Sequence, residues 1–247
     1  SSGIVKNIDY CNKSGKTLLR WKISNKGQER ATIIDFLGVT DMDASGYHTT
    51  INTVYPYDAK TISKSPIKRY VLTRNSLGYI TSISYHENNS NNIYSSRITD
   101  SDGIHKVVFE NDSLGRIIVS TYYDLDGNIT QRKDGVAIMK YEYDDWGNIS
   151  TLKFYSASGK YTMNSRMYSK ITNECDAWGN IVKEQFYDQN EKLCYNSDNA
   201  AQRIIEYDKK GFPLSISILD ANGKPWVGKE GYSKVYIKCD NRGNQIE

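Results

Sequence analysis

Apolar and polar residues along this chain alternate in short stretches, and glycine-bearing turns separate the stretches. Val107 and Phe109, Met139 and Tyr141, and Val235 and Ile237 each recur at every second position just before such a turn. Ile117, Ile149 and Ile181 open the stretch after it. A period of two places alternate side chains on one face, which predicts half-buried β-strands on both sides of each turn. Helical periodicity is not convincing anywhere. The best candidates, 60–69 and 198–206, are short and lie between the strand pairs.

The turns recur at a fixed interval. Glycines at 115, 147, 179, 211 and 243 are 32 residues apart, and Gly15, Gly46 and Gly78 continue the series backwards. Three residues before each stands Asp or Asn: Asn12, Asp43, Asn75, Asp112, Asp144, Asp176, Asp208 and Asp240. An Asx side chain at the start of a reverse turn bonds to its own backbone, and glycine at the fourth position accepts a positive φ. A second turn follows twelve residues after the first glycine, as at Asp124–Gly127, Ser156–Gly159 and Asp220–Gly223, with Glu191 replacing glycine in one copy. Tyr122-Tyr123, Phe154-Tyr155 and Phe186-Tyr187 precede these second turns and form an aromatic column.

The expected fold is therefore all-β. It is a repeat array of antiparallel β-hairpins, a solenoid or an elongated twisted sheet, with about 32 residues per unit. Residues 1–102 read as divergent N-terminal repeats with a loop insertion near 87–92, and 103–247 as regular repeats of one continuous array. The opening Ser1-Ser2-Gly3, without an initiator Met, reads as the start of a trimmed or a mature fragment, in which a targeting signal would not be visible.

Composition sharpens this picture. The chain has 20 Tyr, 5 Phe and 21 Asn among 247 residues. Its apolar share is 38%, and roughly 30% without tyrosine, which is thin for a globular core. Tyrosines stacked between units would supply the missing burial. A net charge of +3 with no basic cluster points away from nucleic acid. No apolar run approaches the roughly 18 residues of a membrane span. Cys11, Cys175 and Cys239 share a repeat column with Tyr143 and Tyr207, which marks them as core-facing volume rather than reactive thiols.

The signature Tyr143-Asp144-Asp145-Trp146-Gly147-Asn148-Ile149 resembles the YD repeats of bacterial RHS-type surface and toxin proteins. Cys175–Ile181, Tyr207–Gly211 and Cys239–Asn244 carry the same resemblance. It implies a secreted or cell-surface bacterial protein that acts as a structural or adhesive scaffold. The second turn, Tyr122–Asn128, is similar to the hairpins of choline- and glucan-binding repeats, and MORN-type hairpins are a looser likeness. These imply protein or polysaccharide partners at the cell surface. The alternative functions are a carbohydrate-binding module and, more remotely, a polysaccharide-acting enzyme.

Candidate ligand-binding residues are Trp146, Trp178, Tyr122, Phe154 and Phe186. The two tryptophans occupy turn tips, where they would either stack on a ligand or fold over the neighbouring unit. The structural turn residues are Asp112, Gly115, Asp144, Gly147, Asp176, Gly179, Asp208, Gly211, Asp240 and Gly243. Asp41, Asp43 and Ser45 match the first half of a calcium loop, but Asn52 stands where a bidentate Glu belongs. The repeat turn already accounts for Asp43 and Gly46. No cofactor, metal or catalytic residue is expected, because the turn aspartates are explained as caps and no nucleophile motif appears.

Overall fold

The structure is a computed structural model that describes residues 7–11, 17–26, 31–39, 69–87 and 97–246. The calcium candidates Asp41, Asp43 and Ser45, and the insertion proper after Glu87, lie outside the described residues. Every regular element among the described residues is a strand. The chain forms two compact units, one of Ser1–Asn111 with Tyr122–Asn128, the other of Asp112–Thr121 with Ile129–Glu247.

The first unit contains β1 (Asn7–Cys11), β2 (Thr17–Lys26), β3 (Ala31–Val39), β4 (Arg69–Arg74), β5 (Ile80–His86) and β6 (Lys106–Asn111). Each pairs antiparallel with the next. Its core gathers Leu72, Ile83, Tyr85, Ile104 and Val107, with Tyr122 packed partly buried against it. Tyr70 meets Tyr85 edge-on at 5.7 Å between ring centroids.

The second unit holds most of β7 (Ile117–Tyr123), then β8 (Ile138–Tyr143), β9 (Ile149–Tyr155), β10 (Lys170–Cys175), β11 (Ile181–Tyr187), β12 (Gln202–Tyr207), β13 (Pro213–Leu219) and β14 (Lys234–Tyr236). Pairing is again antiparallel and in sequence order. β8, β10 and β12 begin 32 residues apart, as do β9, β11 and β13. Equivalent strands therefore lie two ladder steps apart, about 10 Å.

The 32-residue repeat contains three turns, not two. The third spans 132–135, 164–167, 196–199 and 228–231, each closed by a backbone bond from its fourth residue to its first. It delivers a buried pair in each repeat: Val136 and Ala137, Tyr168 and Ser169, Ala200 and Ala201. Met167 and Asn199 hold its fourth position at φ 67° and 58°, so no glycine marks it in those copies. The stretch 198–206, a weak helix candidate by periodicity, is the end of this turn followed by β12.

Aromatic packing crosses repeats by way of that third turn. Tyr168 lies between Phe154 and Phe186, at 5.7 and 5.0 Å between centroids. With Val136, Ile171, Ala200 and Ile218 these rings form the core of the second unit. Burying large apolar side chains across repeats is what stabilises strands whose own faces are narrow.

Candidate functional site

The first turn of each repeat is built by its aspartate. In Asp144–Gly147, the Gly147 N–H donates to the Asp144 carbonyl at 3.1 Å. Asp144 Oδ1 accepts the N–H groups of Trp146 at 3.0 Å and Asn148 at 2.8 Å. Asn148 Nδ2 then donates to Asp144 Oδ2 at 2.9 Å. Asp176 with Asn180 and Asp240 with Asn244 repeat this arrangement. Asp112 and Asp208 accept the same pair of backbone donors. The asparagine after the glycine is thus a working part of the turn, a role the sequence pattern alone did not assign.

One carboxylate holding three donors favours its charged form. The side-chain amides of Asn148, Asn180 and Asn244, with the turn N–H groups, keep the carboxyls of Asp144, Asp176 and Asp240 below the usual range. Gly115, Gly147, Gly179, Gly211 and Gly243 all stand at φ between 83° and 89°. These carboxylates are committed to the backbone.

First turns of successive repeats touch along one edge of the second unit. A Cβ at Gly179 would come within 3.0 Å of Asn148 Oδ1, and one at Gly211 within 3.8 Å of Asn180 Nδ2. Their tips are Leu114, Trp146, Trp178, Lys210 and Arg242. Leu114 is 70% exposed, Trp146 86% and Trp178 87%. Neither tryptophan folds down over its neighbour.

The other candidate binding residues sit elsewhere. Phe154 and Phe186 are 5% and 2% exposed and form the core with Tyr168, so a ligand cannot reach their ring faces. Burial corrects their place in the candidate site. Tyr122 packs partly buried against the first unit's core.

The Tyr/Cys column has its own function. Tyr143 and Tyr207 donate their hydroxyls to the carbonyls of Ile117 and Ile181, at 2.7 and 3.1 Å. Cys175 lacks a hydroxyl, and Asn173 Nδ2 reaches the equivalent Ile149 carbonyl at 3.1 Å. The described cysteines Cys175, Cys194 and Cys239 are free thiols. Burial raises the pKa of the Cys175 thiol and pushes Cys194 up to about 11, so both stay protonated and poorly nucleophilic at neutral pH.

Glu191, the residue replacing the second-turn glycine, stands at φ 59°. Its carboxylate accepts from Tyr161 at 3.0 Å and Lys170 at 3.1 Å, which offsets some of the left-handed strain. A groove of about 420 Å³ lies farther along the second unit, over Ile205, Ile216, Ile218 and Val235. Arg203 at its rim is already engaged by Glu184 and Asp198. No group of three or more His, Cys, Asp or Glu among the described residues is arranged to hold a metal ion. Among the described residues, no helix is long and apolar enough to cross a membrane.

The sequence matches no protein-family model and no curated protein. Among solved structures, one titled "Crystal Structure of TcdB2-TccC3-TEV" is similar over 93% of this chain, at TM-score 0.36 and 11% identity. The present chain spans 13% of that chain's length.

Proposed function

We propose that this chain is a non-catalytic segment of a bacterial surface or secreted repeat protein, acting as a structural or adhesive scaffold. The observation that carries the reading is the division of its aromatic residues. Phe154, Tyr168 and Phe186 hold repeat to repeat, while Trp146 and Trp178 stand 86% and 87% exposed on adjacent turn tips. Large apolar side chains exposed in a row mark an interaction surface. The Tyr-Asp-x-x-Gly-Asn resemblance to YD repeats supports a location outside the cell, with protein or polysaccharide partners there. The test is retention of bacterial or host cells on the immobilised chain, compared with Trp146→Ala/Trp178→Ala. Equal retention by both proteins would remove the adhesive part of the reading.

The second reading is a carbohydrate-binding module, favoured by the same two tryptophans. Phe154 and Phe186 drop out of it because of their burial, and Tyr122 packs partly buried against the first unit's core. Binding to a glycan array, lost in the double variant, would support it. A polysaccharide-acting enzyme is a third reading; polysaccharide hydrolysis abolished by a single carboxylate substitution would establish it.

A further inference from the structure

Two departures from the repeat meet at one second turn. A backbone bridge closes the second turns at 156–159, 188–191 and 220–223, pairing Tyr155 with Tyr161, Tyr187 with Leu193 and Leu219 with Pro225. Residues bridged across antiparallel strands put their side chains on one face and close together. Of these three copies, only the first sets two phenols side by side. Their rings stack with centroids 4.8 Å apart and planes 26° from parallel. Both side chains are half-buried, which leaves them open to a small oxidant.

The other departure is Glu191. It stands at φ 59°, where Gly127, Gly159 and Gly223 stand in the other second turns. Left-handed strain at a non-glycine residue points to a role for its side chain. Glu191 Oε1 accepts the Tyr161 hydroxyl at 3.0 Å, and Oε2 accepts Lys170 Nζ at 3.1 Å. Lys170 and Tyr161 hold the Glu191 carboxyl below its usual range, so it is ionised at neutral pH. Burial, Tyr155 and Glu191 raise the pKa of the Tyr161 hydroxyl, so its proton leaves only when the ring loses an electron. That loss acidifies a phenol steeply, and a phenol already donating to a carboxylate gives up electron and proton together most readily. Tyr155 instead carries Lys140 Nζ 5.0 Å over its ring, and a cation there opposes positive charge on the ring. Oxidation therefore starts at Tyr161.

We infer that Tyr155 and Tyr161 are a modification site, joined as dityrosine by hydrogen peroxide acting through a haem peroxidase, with Glu191 as the positioning residue that takes the first proton. Tyr161 loses one electron and its hydroxyl proton, which passes through Glu191 to water. Tyr155 then loses one electron and its hydroxyl proton to water. The two phenoxyl radicals form one carbon–carbon bond between ring positions ortho to the oxygens. Each ortho hydrogen leaves its carbon as a proton and one returns to each oxygen, which restores both aromatic rings and both hydroxyls. In all the chain loses two protons and two electrons, and these convert one hydrogen peroxide to two waters. The link closes the hairpin covalently around the turn at 156–159.

The test is cross-link mapping on the full chain, kept dilute and treated with hydrogen peroxide and a haem peroxidase. Trypsin cuts after Lys153, Lys160 and Arg166, so Tyr155 and Tyr161 fall in separate peptides, 154–160 and 161–166, each with one tyrosine. The expected result is recovery of these two peptides as one species, lighter than their sum by two hydrogen atoms and carrying most of the dityrosine fluorescence. Tyr155→Phe and Tyr161→Phe should each remove that species and most of the fluorescence. Glu191→Gln should slow its formation by about fivefold, because a neutral amide is a weaker acceptor than a carboxylate. Cross-links formed mainly between chains, or spread over the exposed Tyr232 and Tyr236, would overturn the proposal. Formation at the parental rate in Glu191→Gln would overturn the role of the carboxylate. The parent map requires no substitution, so the outcome does not depend on how the variants fold.

Discussion

Replacing Asn173 and Cys175 with the residues their column equivalents carry should stabilise the protein, by an amount the structure sets. In neighbouring repeats the position of Asn173 is held by Tyr141 and Ile205, and that of Cys175 by Tyr143 and Tyr207. Asn173 satisfies the Ile149 carbonyl with its amide N–H, but its Oδ1 is buried without a partner. An orphaned buried acceptor costs about 1–3 kcal/mol, and a typical hydrogen bond contributes about 1 kcal/mol net. Asn173→Ile/Cys175→Tyr removes the orphan and returns the bond through a tyrosine hydroxyl, so it should gain about 1–3 kcal/mol. Asn173→Ile alone removes the orphan but leaves the Ile149 carbonyl without its donor, and should change stability by less than about 1 kcal/mol. The double variant should therefore exceed the sum of the single changes by about 1 kcal/mol. Urea denaturation with a constant slope measures all four proteins. A double variant no more stable than the parent, or additive singles, would refute the claim that these columns are interchangeable.

Other consequences divide the aromatics and the titratable groups. Phe186→Ala should cost about 3–5 kcal/mol as a cavity beside Tyr168, whereas Trp178→Ala should stay within about 0.5 kcal/mol; chemical denaturation separates them. His86 and His105 meet at 5.4 Å in the first unit, and burial, with His105, Arg69 and Arg97 adding repulsion, lowers His86 from 6.5 to about 4. Its folded pKa lies below its unfolded one, so stability is full above pH 6.5 and falls as pH drops towards about 4. The loss is at most about 3 kcal/mol, and about half that where solvent screens the ring. His86→Phe should flatten the melting temperature across that window; an unchanged slope would contradict the assignment. Glu191→Ala should lower the melting temperature slightly, because it loses the exposed contacts to Tyr161 and Lys170, while Glu191→Gly should be less destabilising because glycine relieves the positive φ.

Much of the fold is legible in the sequence because two of its three turns carry their own chemistry. Asp144 and Gly147 specify a carboxylate-capped turn with a left-handed fourth residue, and the interval of 32 residues carries that through the second unit. The third turn escapes because Met167 and Asn199 take the left-handed position without glycine. Its evidence in sequence is weaker, a buried pair at 136–137, 168–169 and 200–201 spaced by the same interval. Trp146 and Trp178 were readable as turn tips, but their exposure depends on what the neighbouring turns carry. Phe154 and Phe186 share a column with Tyr122 in sequence. Only packing against Tyr168, one hairpin away, shows them as core. The exchange of a tyrosine hydroxyl for the Asn173 amide joins positions 24 residues apart, a distance no local pattern reports.

The most direct test of the array is the pairing of one central residue. Ile171 lies opposite Leu152 on one side and Phe186 on the other. Cross-strand nuclear Overhauser contacts from Ile171 should therefore reach Leu152 and Phe186. A coil in which each repeat stacks parallel on the next would instead pair Ile171 with Met139 and Arg203, one repeat away in either direction. Contacts to those two residues in place of Leu152 and Phe186 would contradict the antiparallel ladder on which the turn-edge row depends.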